Sequence, residues 1–154
     1  MKKDLCSITI AKALDELGFN RETRYYYDPK VSKTKYVFRD PDKRVKDWNH
    51  FLRPPLFYIS VPTVDQAIDW IREKYNVIIY DHVPPFVDPK DDKHRIMYTY
   101  DVKYCNRRDG WNGRVIISHA ECCSYDIYAA KRMAIAEAIR WIKNNKKCSK
   151  KTKK

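Results

Sequence analysis

The stretch from Ser124 to Lys143, SYDIYAAKRMAIAEAIRWIK, restricts the possible folds of this chain more than any other segment. Ser124 is a good helix N-cap, and Asp126 follows where negative charge suits the helix dipole. Apolar residues recur in the stretch every three or four positions, which is typical of one buried helix face: Ile127, Ala130, Ala134, Ala138, Trp141 and Ile142. We therefore expect a helix over 124–143 that covers a small antiparallel sheet.

The clearest strand of that sheet is predicted over 95–104, where the side chains alternate in character. One set is apolar, namely Ile96, Tyr98, Tyr100, Val102 and Tyr104, and the other is Arg95, Met97, Thr99, Asp101 and Lys103. One buried face and one wet face are typical of antiparallel sheets. Further strands are predicted over 77–82 and 114–120, and the pair Thr63 and Gln66 predicts a capping box that opens a helix before them. The predicted fold class is α+β, a three-stranded antiparallel sheet covered by helices in the order α-β-β-β-α.

The rest of the chain divides around this domain. A helix over 7–17 is predicted to end at Gly18, with Phe19 packed back on its last turn. Two short strands over 21–28 and 33–38 and a further one over 56–61 follow. We expect residues 1–60 to be an N-terminal helix and hairpin extension without an independent core. Residues 61–145 are then the α-β-β-β-α domain, and 146–154 a disordered basic tail.

Positive charge is concentrated at the end of the chain. The formal net charge is +12, and the last fifteen residues hold eight Lys or Arg and no acid. The other 139 residues hold 24 basic and 20 acidic groups, a balance of +4. Such a tail attracts any polyanion, including DNA, RNA and anionic lipid. The alternative is a solubilising tail without a dedicated partner.

Aromatic and basic residues interleave in two other places, after residue 23 and between residues 106 and 112. Tyrosine faces stack on bases while Lys and Arg hold phosphates, so these segments predict nucleic-acid binding. The alternative is a hairpin with core tyrosines and solvated lysines, and an ordinary polar turn. With the tail, the predicted binding residues are Arg24, Tyr26, Lys33, Lys35, Arg39, Lys43, Arg44, Arg107, Arg108, Trp111, Lys146, Lys147, Lys150 and Lys151.

The sequence contains no complete catalytic or cofactor motif. Three dispersed glycines cannot form a phosphate-binding loop. The segment His119-Ala120-Glu121 matches the start of a zinc-deaminase signature, but the Cys pair that completes that site is absent. Cys105, His119 and Cys122 could still meet at one metal; the alternative is a strand-end histidine with two semi-buried thiols. We expect no catalytic residue, no metal and no cofactor. We therefore expect that the protein is not an enzyme.

Two features of the sequence bear on where the protein is located. No apolar run approaches 18 residues, so no membrane span is predicted. Five cysteines at irregular spacing fit a reducing cytoplasm better than a disulfide scaffold.

Two resemblances add to these expectations. The element order of the second half resembles the topology of double-stranded-RNA-binding domains, a family that places two lysines at the start of its last helix. Tyr125 and Asp126 stand at those positions here, and the first basic pair, Lys131 and Arg132, comes later. The segments LCSITIAKALDELGF, RYYY, VPTVDQAIDWIREKYNVII and SYDIYAAKRMAIAEAIRWI together resemble small uncharacterised proteins of gut-bacterial phages and mobile elements. That resemblance implies an accessory role in a bacterial cytoplasm.

Two functions are expected from these observations. The first is a non-enzymatic accessory protein that binds nucleic acid through basic and aromatic groups. The alternative is a module that binds a host or phage protein and inhibits or adapts it, because exposed aromatics with arginines also suit protein interfaces. The oligomeric state stays open.

Overall fold

A computed structural model describes residues 4–27, 38–39, 59–81, 85–87, 89–90, 92–93, 95–105, 114–115 and 122–151, with the backbone alone at 38–39, 114–115 and 146–151. The chain divides into two compact units, Met1–Ala67 and Ile68–Lys154. This boundary lies inside a helix, seven residues beyond the position at 60 that the sequence predicted.

The first unit opens with helix α1, Ile8–Glu16. The Ser7 hydroxyl accepts a hydrogen bond from the Ile10 amide at 3.2 Å and caps the first turn. At the other end Gly18 adopts a φ of 88°, the left-handed region that favours glycine. The Phe19 amide then donates to the Leu14 carbonyl at 3.0 Å, and the Phe19 ring is buried. The predicted stop at Gly18 is therefore confirmed.

A three-stranded antiparallel sheet completes the first unit. Strand β1, Tyr25–Tyr27, lies between β2, Phe38–Arg39, and β3, Ile59–Ser60. A buried apolar cluster brings sheet and helix together: Leu5, Ala11, Tyr25, Tyr27 and Val61, with Ile8 and Ile59 packed against it. The first unit thus has an apolar core, whereas the sequence predicted no independent core for residues 1–60.

Helix α2, Val64–Tyr75, begins at the predicted capping box. Asn76 follows it with a φ of 56°, a conformation that Asn tolerates better than most residues. Strand β4, Val77–Asp81, starts immediately after.

The sheet of the second unit is built around its longest strand, β6, Ile96–Tyr104. It pairs antiparallel with β4, with β5, Phe86–Val87, with β7, Arg114–Val115, and with β8, Cys123–Ser124. Because Lys103 and Tyr104 pair with both β4 and β7, those two strands lie on opposite sides of β6. The predicted α+β class with antiparallel sheets is confirmed; residues 116–120 of the predicted third strand lie outside the described residues.

Helix α3, Ile127–Lys151, packs on β6, β4 and β8. Ala130, Ala134 and Ala138 are fully buried, as the apolar stripe predicted. The Trp141 ring is partly buried, with its centre 4.9 Å from that of Tyr104. In the part of the chain that the structure describes, no helix combines the length and apolar character needed to cross a membrane.

Both ends of α3 differ from the prediction. Ser124 lies in β8, and the cap is Asp126, whose Oδ1 accepts from the Tyr128 amide at 2.8 Å and the Ala129 amide at 3.2 Å. The helix also continues to Lys151, so 146–151 are helical where disorder was expected. Residues 152–154 lie outside the described ranges.

The predicted wet face of β6 is wrong in its centre. Thr99 is 6% exposed and Asp101 is 7% exposed, although both belong to the polar set. The Tyr80 side chain contributes to this burial, because its hydroxyl donates to Asp101 Oδ2 at 3.4 Å. At the start of the strand Ile96, assigned to the buried set, is 48% exposed. Burial therefore follows position along β6 as well as alternation.

Candidate functional site

The outward side of β1 carries two of the residues predicted to bind nucleic acid, Arg24 and Tyr26. Side chains alternate along this extended segment: Thr23, Tyr25 and Tyr27 are buried, Glu22 and Arg24 are exposed, and Tyr26 is partly buried. Glu22, Arg24 and Tyr26 therefore form one row, which we call the β1 row. It presents a carboxylate, a guanidinium and an aromatic ring in succession.

The backbone beneath the β1 row is held in place by several contacts. The Val61 amide donates to the Tyr25 carbonyl at 2.9 Å, and the Thr23 hydroxyl donates to the same carbonyl at 2.9 Å. On the buried side, Lys12 Nζ lies 5.2 Å from the centre of the Tyr27 ring, within cation–π range. The spacing of the row is thus fixed by the core of the first unit.

An open cleft of about 480 Å³ lies at the Glu22–Arg24 end of this row. Its lining combines exposed or partly buried polar residues, Asp4, Glu22, Arg24, Thr63 and Gln66, with the buried Thr23 and Tyr25. The volume falls in the range of about 300–1,000 Å³ that small-molecule sites occupy. The sequence analysis singled out Arg24, but it did not bring Asp4, Glu22 and Gln66 to the same place.

The predicted capping box forms one wall of the cleft. The Thr63 amide donates to Gln66 Oε1 at 3.0 Å, and the Gln66 amide donates to Thr63 Oγ1 at 3.1 Å. Gln66 Nε2 also donates to the Glu22 carbonyl at 3.1 Å, and the Val64 amide donates to the Asp4 carbonyl at 2.8 Å. The first turn of α2 therefore fixes the backbone of both acidic residues.

The charged side chains at the cleft can form hydrogen bonds of both kinds. The carboxylates of Asp4 and Glu22 accept hydrogen bonds and the Arg24 guanidinium donates them, so the three offer both kinds of partner. Among the described residues of its lining there is no His, Cys or Ser that would supply a nucleophile or a soft metal ligand. Across the described ranges, no group of three or more His, Cys, Asp or Glu residues is placed to hold a metal ion.

The second candidate region is the C-terminal part of α3. Its last acidic residue is Glu137, which forms a 2.6 Å ion pair with Arg140. Beyond Arg140, every charged residue up to Lys151 is a lysine. Ile142 is buried against the sheet side of the helix, so the basic part continues directly from an anchored segment. The Asn145 side-chain amide donates to the Trp141 carbonyl at 2.9 Å within this part.

The other predicted binding residues have varied outcomes. Lys146, Lys147, Lys150 and Lys151 lie on the backbone of α3, and Arg39 lies in β2 with its backbone paired to Tyr25. Seven fall outside the described residues, and their assignment stays a prediction: Lys33, Lys35, Lys43, Arg44, Arg107, Arg108 and Trp111.

The register of β6 separates two of the three residues considered as metal ligands. The Cys122 carbonyl accepts from the Tyr100 amide, whereas the Cys105 amide follows β6 and donates to Asn76. The five residue steps from Tyr100 to Cys105 span about 16 Å of extended chain. Zinc ligated by both sulfurs requires each within about 2.3 Å of the ion, so Cys105 and Cys122 do not share a metal. His119 lies outside the described residues.

A group of charged and aromatic side chains on β4 and β6 escaped the sequence analysis. Lys103 Nζ lies 5.0 Å from the centre of the Tyr80 ring. Hydrogen bonding to Tyr80 raises the pKa of Lys103, and the negative charge of Asp101 adds to this effect. The signal in the sequence was an acid and a lysine at alternate positions of a strand, Asp101 and Lys103, which the alternation pattern assigned to solvent. We regard the group as structural because its members bind one another.

Apolar side chains are exposed where β5 pairs with β6. Val87 and Ile96 stand opposite each other and are 50% and 48% exposed, and the neighbouring Phe86 is 39% exposed. Nearby, the Arg95 guanidinium lies 4.0 Å from the centre of the Tyr125 ring. Exposed apolar residues of this kind are a feature of protein contact surfaces.

Comparisons of the chain with protein-family models, with curated proteins and with solved structures found no match.

Proposed function

We propose that this protein is a non-enzymatic accessory protein of the phage or mobile-element type that binds nucleic acid in a bacterial cytoplasm. The observation that carries the proposal is the charge on α3. From Arg140 onward the chain has eight Lys or Arg and no acid, and six of these eight positions belong to the helix.

The helix gives these charges a fixed spacing. The eleven residue steps from Arg140 to Lys151 span about 16 Å at 1.5 Å per residue. Helical periodicity brings positions 140, 144, 147 and 151 to the same side, and three of these four are basic: Arg140, Lys147 and Lys151. The two positions next to that side, Lys143 and Lys150, are also basic. Each cation that neutralises a phosphate releases counterions, so several close together give strong, salt-dependent binding.

A basic helix end has a second explanation, which the test must address. Exposed cations near a helix C-terminus typically stabilise the helix through its dipole by about 0.3–1 kcal/mol each. That effect needs only the last turn. It does not account for a run that starts at Arg140, three turns before the end. The β1 row, with Arg24 and Tyr26, supplies the aromatic component that the polyanion reading also calls for.

Binding by a chain that ends at residue 145 tests the proposal. The truncation removes six lysines and leaves the buried Ile142 in place, so folding should be intact. We expect labelled duplex and single strands to bind the full chain tightly at low salt, and the shortened chain far more weakly with a shallower salt slope. Equal affinity and equal slope would show that the end of α3 is not the binding surface.

The alternative function, a module that binds a host or phage protein, is favoured by a different region. Val87, Ile96 and Phe86 expose apolar area that a nucleic acid does not need. If this alternative is right, Ile96→Ser should abolish partner binding and leave the affinity for nucleic acid unchanged. The measurement compares the original chain with the Ile96→Ser variant in two assays: pull-down of the partner protein, and the affinity for labelled nucleic acid.

A further inference from the structure

We infer that the cleft beside β1 receives an unpaired base of a single strand, with Glu22 and Arg24 on the polar edge of the base and Tyr26 next to it along the strand. This inference rests on the proposed nucleic-acid function and names the form of nucleic acid that the first unit prefers.

Some polar side chains of the cleft are already hydrogen-bonded within the protein. Thr63 and Gln66 use their side chains in the capping box, and Thr23 donates to the Tyr25 carbonyl. Among the residues that the structure describes, the side chains of Asp4, Glu22 and Arg24 form no hydrogen bond or ion pair. Three charged groups at one cleft are thus open to a ligand.

The charges of these groups narrow the ligand class. The described lining residues include two carboxylates and one guanidinium, a formal charge of −1, so a bare phosphate or carboxylate is repelled by two of these three groups. A purely cationic ligand satisfies the two carboxylates and leaves the guanidinium without an acceptor. A nucleobase is neutral, and its Watson–Crick edge combines N–H donors for a carboxylate with carbonyl or ring-nitrogen acceptors for a guanidinium.

The same chemistry requires the base to be unpaired. In a duplex the Watson–Crick edge is already paired and stacked inside the helix, whereas an unpaired base can leave the strand and enter a pocket. Tyr26, two residues from Arg24 and on the same side of β1, lies about 7 Å further along. Its side chain is partly buried, and bases stack on tyrosine rings.

Glu22 distinguishes base binding from simple contact with the strand, because the two cases predict opposite changes in affinity when its charge is removed. If Glu22 only faces the passing strand, its charge repels phosphates, and Glu22→Gln strengthens the binding of every nucleic acid. If Glu22 accepts from a base, the same substitution removes a strong acceptor and weakens the binding of single strands alone. Its side chain is exposed and only its backbone carbonyl is bonded to Gln66, so folding is preserved.

The experiment compares the full chain with Glu22→Gln, and uses Glu73→Gln as the matched control. Glu73 is an exposed acid on α2 that is not part of the cleft, so its substitution changes the net charge equally. Dissociation constants are measured by fluorescence anisotropy for a labelled mixed-sequence single strand and for its hairpin duplex, at one salt concentration.

We expect Glu22→Gln to weaken single-strand binding about tenfold and to leave duplex binding unchanged or slightly tighter. The control should tighten both slightly. If Glu22→Gln tightens single-strand and duplex binding alike, the inference is overturned while the proposed function stands. If the unaltered chain binds neither probe at low salt, the proposed function fails first, and the inference with it.

Discussion

The contact between Trp141 and Tyr104 allows a quantitative test of how α3 is attached to its sheet. The two ring centres are 4.9 Å apart with an interplanar angle of 33°. Truncation of a buried tryptophan to alanine costs about 3–5 kcal/mol, and the partial exposure of Trp141 places the expected loss near about 3 kcal/mol. Of this, about 0.5–1.5 kcal/mol belongs to the pair of rings itself.

A double-mutant cycle separates those two parts. The variants are Trp141→Ala, Tyr104→Ala and their combination, and the quantity measured is the free energy of unfolding in urea. Circular dichroism and tryptophan fluorescence are both followed, because the chain has two compact units and their transitions must be distinguished. We expect a coupling energy of about 1 kcal/mol. Strict additivity, or a Trp141→Ala variant as stable as the original chain, would refute the packing of this helix face.

Three further predictions concern residues of the second unit. Asp126→Ala should cost about 1 kcal/mol of stability through loss of the helix cap, whereas Ser124→Ala should cost less; equal losses by urea denaturation would contradict the capping geometry. Ala138→Leu should destabilise by about 1–3 kcal/mol because Ala138 is fully buried, while Ala136→Leu on the exposed side should change the melting temperature little. Because the pKa of Lys103 is raised above 10.5, its tyrosine contact should stabilise the fold fully below that pH and be lost as pH rises through the folded value; Lys103→Met should remove this part of the alkaline decline.

The elements with strong periodicity were predictable from the sequence. The strand 95–104 lies within one residue of β6, and the buried positions Ala130, Ala134 and Ala138 follow the apolar stripe. Both patterns extend over many residues, so chance matches are rare and tertiary contacts reinforce them. The capping box at Thr63 and Gln66 was equally predictable, because its two hydrogen bonds are local.

Features that depend on neighbours distant in sequence were not predictable in this way. Ser124 and Asp126 are both good caps, and the choice between them depends on whether β8 pairs with β6. Thr99 and Asp101 carry polar groups, so their burial shows only once Tyr80 is placed beside them. Helical structure beyond residue 145 has no apolar signal either, because lysine supports a helix through propensity alone.

The residues of the candidate site were likewise only partly predictable from the sequence. Arg24 and Tyr26 stand out in the sequence as an aromatic and basic pair on a strand, and the structure places them on the outward side of β1. Asp4 and Gln66 join Arg24 at the cleft only because the backbone at Asp4 pairs with the first turn of α2. Contacts between positions some sixty residues apart leave no local pattern.

The most direct test of nucleic-acid binding through α3 compares two variants with the same net charge. One carries Lys147→Gln, Lys150→Gln and Lys151→Gln on α3; the other carries Lys74→Gln, Lys90→Gln and Lys93→Gln at exposed positions elsewhere. For each, the dissociation constant of a labelled duplex is measured over a range of salt concentrations. We expect the α3 variant alone to lose about two to three units of salt slope, close to 0.9 per phosphate contact. Equal losses in both variants would contradict the proposal, because net charge and not the end of α3 would then determine binding.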